Sequence, residues 1–255
     1  MPTQPAYTSN TLEDLCRRGD TYRCADSSLV FADVSGFTPL TERYTKRGRD
    51  GSEQLTDLLN DLLGPTLDAG LAYGGDLLCF GGDAILVAFT GRGHEVRARQ
   101  AAVLMAQCFS ARARRRRVRV GMSVGVASGP VHLHRVGGRF DVVVVHGPAV
   151  REVLRLESAA SEGEVLTTGG LLDLEVPSPL EVDLRGPTQK PPIPHPPAER
   201  PTTTTASDLD GRIDPHVARA IADDVGAEHR RSVVAFVRFA LPEATPIETL
   251  DVAIG

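Results

Sequence analysis

An α+β fold, with a sheet built in βαββαβ order and helices on one face, is the class this sequence predicts. Three observations predict it. Ser28–Val34 and Ala84–Phe89 are short apolar runs of strand length. Asp76–Phe80 is joined to the second of these only by Gly81-Gly82-Asp83, a hairpin signal. Ser52–Ala72 and Glu95–Arg114 repeat their apolar residues with helical spacing and sit between the strand runs.

The elements follow in order. Residues 1–26 form a polar leader with a short helical piece at Leu12–Arg18. Ser28–Val34 is the first strand, and Thr38 is placed to cap a helix running to Lys46. Ser52–Ala72 carries Leu55, Leu58, Leu59, Leu62 and Leu63 on one face, and Gly74-Gly75 stops it. The hairpin and the Glu95–Arg114 helix come next. Val118–Ala127, Val131–Arg135 and Asp141–Val145 read as three strands separated by glycines. Pro148–Ser158 reads as a helix, and Glu164–Thr168 as a short closing strand. This is the split order of ferredoxin-like sheets. It sets the hairpin beside the end of the first strand.

Composition narrows the function. With 255 residues, 41% hydrophobic and 24% charged, the chain is an ordinary globular sequence with room for one domain and an extra segment. Its net charge of −5 supplies no general field for nucleic acid or an anionic membrane, so neither is expected as a partner. The local exception, Arg112 to Arg119, reads as a solvated helix end, with an acidic partner as the other possibility. Cys16, Cys24, Cys79 and Cys108 are scattered, which fits a reducing compartment. No apolar run reaches membrane-spanning length and the first ten residues are polar. A cytoplasmic location is the expectation.

Two stretches carry the chemistry. Phe31-Ala32-Asp33-Val34-Ser35-Gly36-Phe37-Thr38 and Phe80-Gly81-Gly82-Asp83-Ala84-Ile85-Leu86 each set one aspartate at a strand end or turn. Two carboxylates on neighbouring strands can hold two hard divalent cations against a triphosphate. The glycine and amides after Asp33, where strand passes to helix, offer an anion cradle. Nucleotide chemistry is therefore the first hypothesis. His132 and His134 alternate on one strand and read as outward polar residues rather than a metal face. Asp76 could supply a third carboxylate, but the hairpin aims it elsewhere.

With these motifs in order, residues 27–170 resemble the class III nucleotidyl cyclase catalytic domain. The resemblance rests on Phe31–Thr38, on Gly74–Leu86, on Gly125–Val131 and on Val143–Arg155. It implies two Mg2+ or Mn2+ ions held by Asp33, Asp83 and the Val34 carbonyl. It implies that Val34, Ser35, Gly36, Phe37, Thr38 and Gly82 bind substrate, and that Arg155 matches the family's transition-state arginine. The implied reaction converts a nucleoside triphosphate, read as ATP in preference to GTP, into a 3′,5′-cyclic nucleotide and pyrophosphate. The alternative is a non-catalytic nucleotide-binding or regulatory module. A diguanylate cyclase is disfavoured because Ala84 follows Gly-Gly-Asp where glutamate belongs.

The departures shape the expectation further. Cys79 falls where the family's base-reading lysine stands, Val144 where its partner stands, and Arg151 where the ribose-orienting asparagine stands. Ser123 replaces a frequent basic residue, although Arg119 is nearby. After a proline- and threonine-rich linker, residues 187–210, a helical stretch at Pro215–Glu228 and a strand-like run at Ser232–Ala240 resemble the start of a second such domain. Arg238 takes the place of Asp33 there. The expectation is the metal-holding first half of a tandem, soluble-type cyclase: catalytic domain 27–186, linker 187–210, truncated second domain 211–255. Its site would be completed by a second cyclase domain in cis or in trans, and Arg155 could lie in either the active or the pseudo-site.

Overall fold

The computed structural model of the chain describes residues 9–137 and 141–172. The linker and the expected second-domain helix and strand lie outside the described residues. Contacts divide the described residues between two units, one of residues 24–133 and 145–172, the other of residues 9–23 with the described part of 134–144.

The larger unit is an α+β sheet structure. Its elements include β1 (Tyr22–Ser35, which begins in the smaller unit), α2 (Phe37–Thr45), α3 (Arg49–Ala72), β2 (Asp76–Phe80), β3 (Ala84–Phe89) and α4 (His94–Arg116). β4 (Gly121–Val136, which ends in the smaller unit), β5 (Val142–His146, which begins there), α5 (Pro148–Ala159), β6 (Val165–Thr167) and β7 (Gly170–Leu171) follow. The strands lie in the order β2-β3-β1-β4-β6-β7, with β5 on β4. The β2-β3-β1-β4 run is the ferredoxin-like order expected from the sequence.

Alternation sorts the strand residues between two faces. Val30, Ala32 and Val34 of β1, Ile85, Val87 and Phe89 of β3, and Met122, Val124 and Val126 of β4 join one core cluster. The cluster includes Leu58, Leu62 and Leu63 of α3 and Ala98, Ala101, Met105 and Phe109 of α4, so these two helices cover that face. Helix α5 takes the other. A Cβ added to Gly125 would lie 2.3 Å from the Val153 carbonyl and 2.6 Å from the Glu157 amide. Gly125 alternates with Val124 and Val126, so α5 lies on the face opposite α3 and α4.

Several local expectations are corrected. Gly129-Pro130 does not interrupt β4, which runs unbroken from Gly121 to Val136. Thr38 does not cap α2; Gly36 does, in a left-handed conformation without a side-chain bond. The arginine run is not wholly solvated. Arg112 is 8% exposed, and its guanidinium donates to Asp61 of α3 at 2.8 Å. Arg116 donates to the other Asp61 oxygen at 2.7 Å, and together the pair draws the Asp61 carboxyl below its usual range.

The smaller unit holds α1 (Asn10–Arg18), capped by Ser9, which accepts from the Leu12 amide at 3.1 Å. Asp14 accepts from Arg17, Arg18 and Arg23. Arg135 pairs with Asp141 at 3.1 Å, and the Cys16 thiol donates to the same carboxylate oxygen. His134 is buried rather than outward, because its ring stacks on Tyr22 with centroids 4.7 Å apart.

Candidate nucleotide and metal site

The site begins with strand pairing. β1 and β3 run antiparallel with Asp33 opposite Ala84, so Asp83 is the residue beside Asp33's cross-strand partner. Closely paired strands give neighbours about 5 Å apart. Asp83 sits in the turn between β2 and β3, closed by the Gly81 amide donating to the Ala84 carbonyl at 2.8 Å. Gly82 in that turn has φ 85°, the left-handed region open to glycine.

Electrostatics reports the same proximity. Burial, then the neighbouring Asp83, then Glu157 push the Asp33 carboxyl above its usual range, partly offset by a bond from the Val34 amide. Among the described residues, no arginine or lysine forms an ion pair with Asp33 or Asp83. Two neighbouring carboxylates without a protein cation form a site that a hard metal would relieve.

β1 ends at Ser35, and the chain turns through Gly36 at φ 76° into α2. A Cβ at Gly36 would also lie 2.9 Å from the Arg119 carbonyl, so the turn excludes any side chain there. The first amides of a helix lack carbonyl partners within it. Pro39 has no amide, which leaves the donors of Phe37, Thr38 and Leu40 at this end. Those amides and the positive end of the helix suit phosphate oxygens.

Other sequence-derived site residues stand on other elements. Arg155, on α5, is exposed and grips Glu152 through two bonds of 2.9 and 2.7 Å. Arg151 is exposed on the same helix, and Cys79 is exposed on β2. Val144 belongs to the smaller unit.

The tertiary structure adds two carboxylates that the sequence did not single out. Glu157 of α5 accepts a 2.6 Å bond from Ser123 and raises the Asp33 carboxyl. Glu162 accepts from Ser35 at 2.9 Å. Glu157 lies only two residues beyond Arg155, so the motif pointed close to it. Only the seating of α5 on Gly125 turns it toward Asp33.

His132 and His146 stack with ring centroids 4.8 Å apart and planes at 12°. Burial first, then His132 and Arg151, hold the His146 imidazole below its usual value. The folded state therefore resists its protonation. The stability it contributes is complete above the unfolded value of about 6.5 and is lost as pH falls below it. A lower melting temperature at about pH 5.5 than at pH 7.5, with a smaller drop in His146→Gln, is the expected result of thermal melts.

The domain is an α+β ferredoxin-like sheet with paired aspartates at a strand end and an open helix N-terminus beside them. The sequence matches the adenylate and guanylate cyclase catalytic domain family over residues 20–189, and the chain belongs to that family. It is 28% identical over 186 residues to mouse adenylate cyclase type 10, covering 68% of this chain and 12% of that protein. It is 33% identical over 156 residues to the uncharacterized protein Rv2212 of Mycobacterium tuberculosis, covering 61% of this chain and 36% of that one. Among solved structures, the adenylyl cyclase CyaB of P. aeruginosa superposes with a TM-score of 0.50 at 26% identity, over 57% of this chain and 78% of that one. The guanylyl cyclase Cya2 shares the fold, with a TM-score of 0.51 at 23% identity over 58% of this chain and 76% of that one. No helix among the described residues is long and apolar enough to cross a membrane.

Proposed function

We propose that this domain is the metal-holding half of an adenylyl cyclase site, forming 3′,5′-cyclic AMP and pyrophosphate from ATP. The observation that carries the proposal is the register of Asp33 opposite Ala84, which sets Asp83 beside it. The name of the mouse relative, an adenylate cyclase, supports ATP over GTP.

Asp33, Asp83 and the Val34 carbonyl are hard oxygen donors, the kind that suit Mg2+ or Mn2+. Among the described residues, no group of three or more His, Cys, Asp or Glu side chains could hold a metal. A Mg2+-type site needs only one or two carboxylates, because substrate phosphates complete it. When bound, the two ions lower the pKa of the ribose 3′-hydroxyl and neutralise charge on the triphosphate. The chain's own part is to hold and orient. Asp33 on β1 and Asp83 in the adjoining β2–β3 turn supply anionic ligands, while the Phe37 and Thr38 amides receive phosphate oxygens. Ser35 and Gly82 border these two groups.

Base recognition is the missing half. Cys79 and Val144 cannot make the hydrogen bonds that separate adenine from guanine, and Arg151 replaces an amide side chain. A second cyclase domain, in cis or in trans, would supply these groups. Arg155, held by Glu152, would then belong to the pseudo-site. The test is cyclic nucleotide formation by the purified chain, alone and with a complementary cyclase domain carrying base-reading residues. The chain alone is expected to turn over roughly 100-fold or more below the mixture. Robust turnover by the chain alone would refute the half-site.

A further inference from the structure

We infer that Arg119 is the protein cation that holds the nucleotide's triphosphate at the Gly36 turn. The inference rests on the proposed nucleotide site and names a residue of it that the motifs do not reach.

The first observation is the seat of the backbone. Gly36 is packed so tightly on the Arg119 carbonyl that a Cβ would lie 2.9 Å from it, with Val120 next at 3.7 Å. Arg119 is therefore a direct neighbour of the turn whose amides face the phosphates. It lies two residues before β4 begins at Gly121.

The second observation is direction. Val118 and Val120 both pack against the core cluster beneath α3 and α4. Arg119, between them, is exposed. Because the valines on either side pack toward α3 and α4, Arg119 is turned to the opposite face, the one on which Gly125 meets α5. That is the face of Asp33 and Ser35, which alternate with the buried Ala32 and Val34.

The third observation is charge. This end of the face carries Asp33 and Asp83, with Glu157 and Glu162 bonded to its serines. A triphosphate brings more negative charge to the same place. Arg112 and Arg116 are committed to Asp61 across α3 and α4. Ser123, two residues into β4, gives its hydroxyl to Glu157 and has no positive charge to offer. Arg119 makes no ion pair among the described residues. Its planar fork can bind two phosphate oxygens at once, a geometry that lysine lacks.

The distinguishing property is discrimination by phosphate number. Arg119 would contact the β- and γ-phosphates of a nucleoside triphosphate and nothing on a monophosphate. Equilibrium binding of ATP and of AMP to the full chain, in Mn2+, reads this directly. Arg119→Ala is expected to weaken ATP binding by roughly tenfold to a hundredfold while AMP binding stays within about twofold. Arg119→Lys should recover only part of the loss. Arg115→Ala, which removes the same charge from the exposed end of α4, should leave ATP binding near the parent value. Equal losses in Arg119→Ala and Arg115→Ala would overturn the inference, leaving a diffuse basic field and the proposed site intact. Absence of Mn2+-dependent ATP binding in the unsubstituted chain would overturn the site itself. Circular dichroism on each variant separates loss of contact from loss of fold.

Discussion

Asp33→Asn and Asp83→Asn are each expected to lower cyclic nucleotide formation, measured with the proposed complementary domain present, by roughly 1,000-fold or more, about 4 kcal/mol of transition-state stabilisation. An amide keeps the shape of the side chain but removes the charge and one strong ligand oxygen. Either change therefore leaves the strands paired and the cation site incomplete. Folding provides the control. Burial and Asp83 make ionised Asp33 unfavourable in the metal-free fold. Stability from this group is present below the unfolded carboxylate value and is lost as pH rises through the raised folded value. At neutral pH in metal-free buffer, Asp33→Asn should thus melt no lower than the parent. Thermal melts with and without Mn2+ check this, because the parent alone should gain stability from the ion. Two variants that cyclise ATP at the parent rate would remove the two-metal mechanism.

Gly125→Ala is the second large effect, and it acts through packing. The new methyl would lie 2.3 Å from the Val153 carbonyl and 2.6 Å from the Glu157 amide. Both are helix backbone, so α5 must move as a body. Overpacking of this kind costs about 1–3 kcal/mol. For a domain of this size, roughly 5 °C of melting temperature is the matching loss. The shift also carries Glu157 away from Ser123, whose 2.6 Å bond holds it near Asp33. The variant should therefore combine lower stability with altered Mn2+ affinity. Gly64→Ala is the contrast: a Cβ there meets nothing within 4 Å and alanine favours a helix interior over glycine, so a melting temperature no lower than the parent's is expected. Equal melting temperatures for Gly125→Ala and the parent would show that α5 does not rest on this glycine.

The helices and the hairpin were legible because their signals are local. Leucine spacing marked α3, and the Gly-Gly-Asp turn between two apolar runs marked β2 and β3 to the residue. Asp33 and Asp83 were equally legible, since each lies within a motif set by short-range turn chemistry. The Gly129-Pro130 pair misled because proline in a strand usually signals an edge or a break, and here the pairing of β4 carries the chain through it. The arginine run misled because a charge count does not show which guanidinium meets a carboxylate 51 residues away.

The sequence by itself determined the strand and helix order, the two aspartates and the glycine that turns β1 into α2. These depend on residues adjacent in the chain, where backbone sterics and hydrophobic periodicity act. Only the tertiary structure decided which face α5 occupies, that Ser123 engages Glu157, and that Arg119 lies against Gly36. Those contacts join residues 28 to 83 positions apart in the chain. Long-range packing and sheet register choose such partners, and neither leaves a local pattern to read.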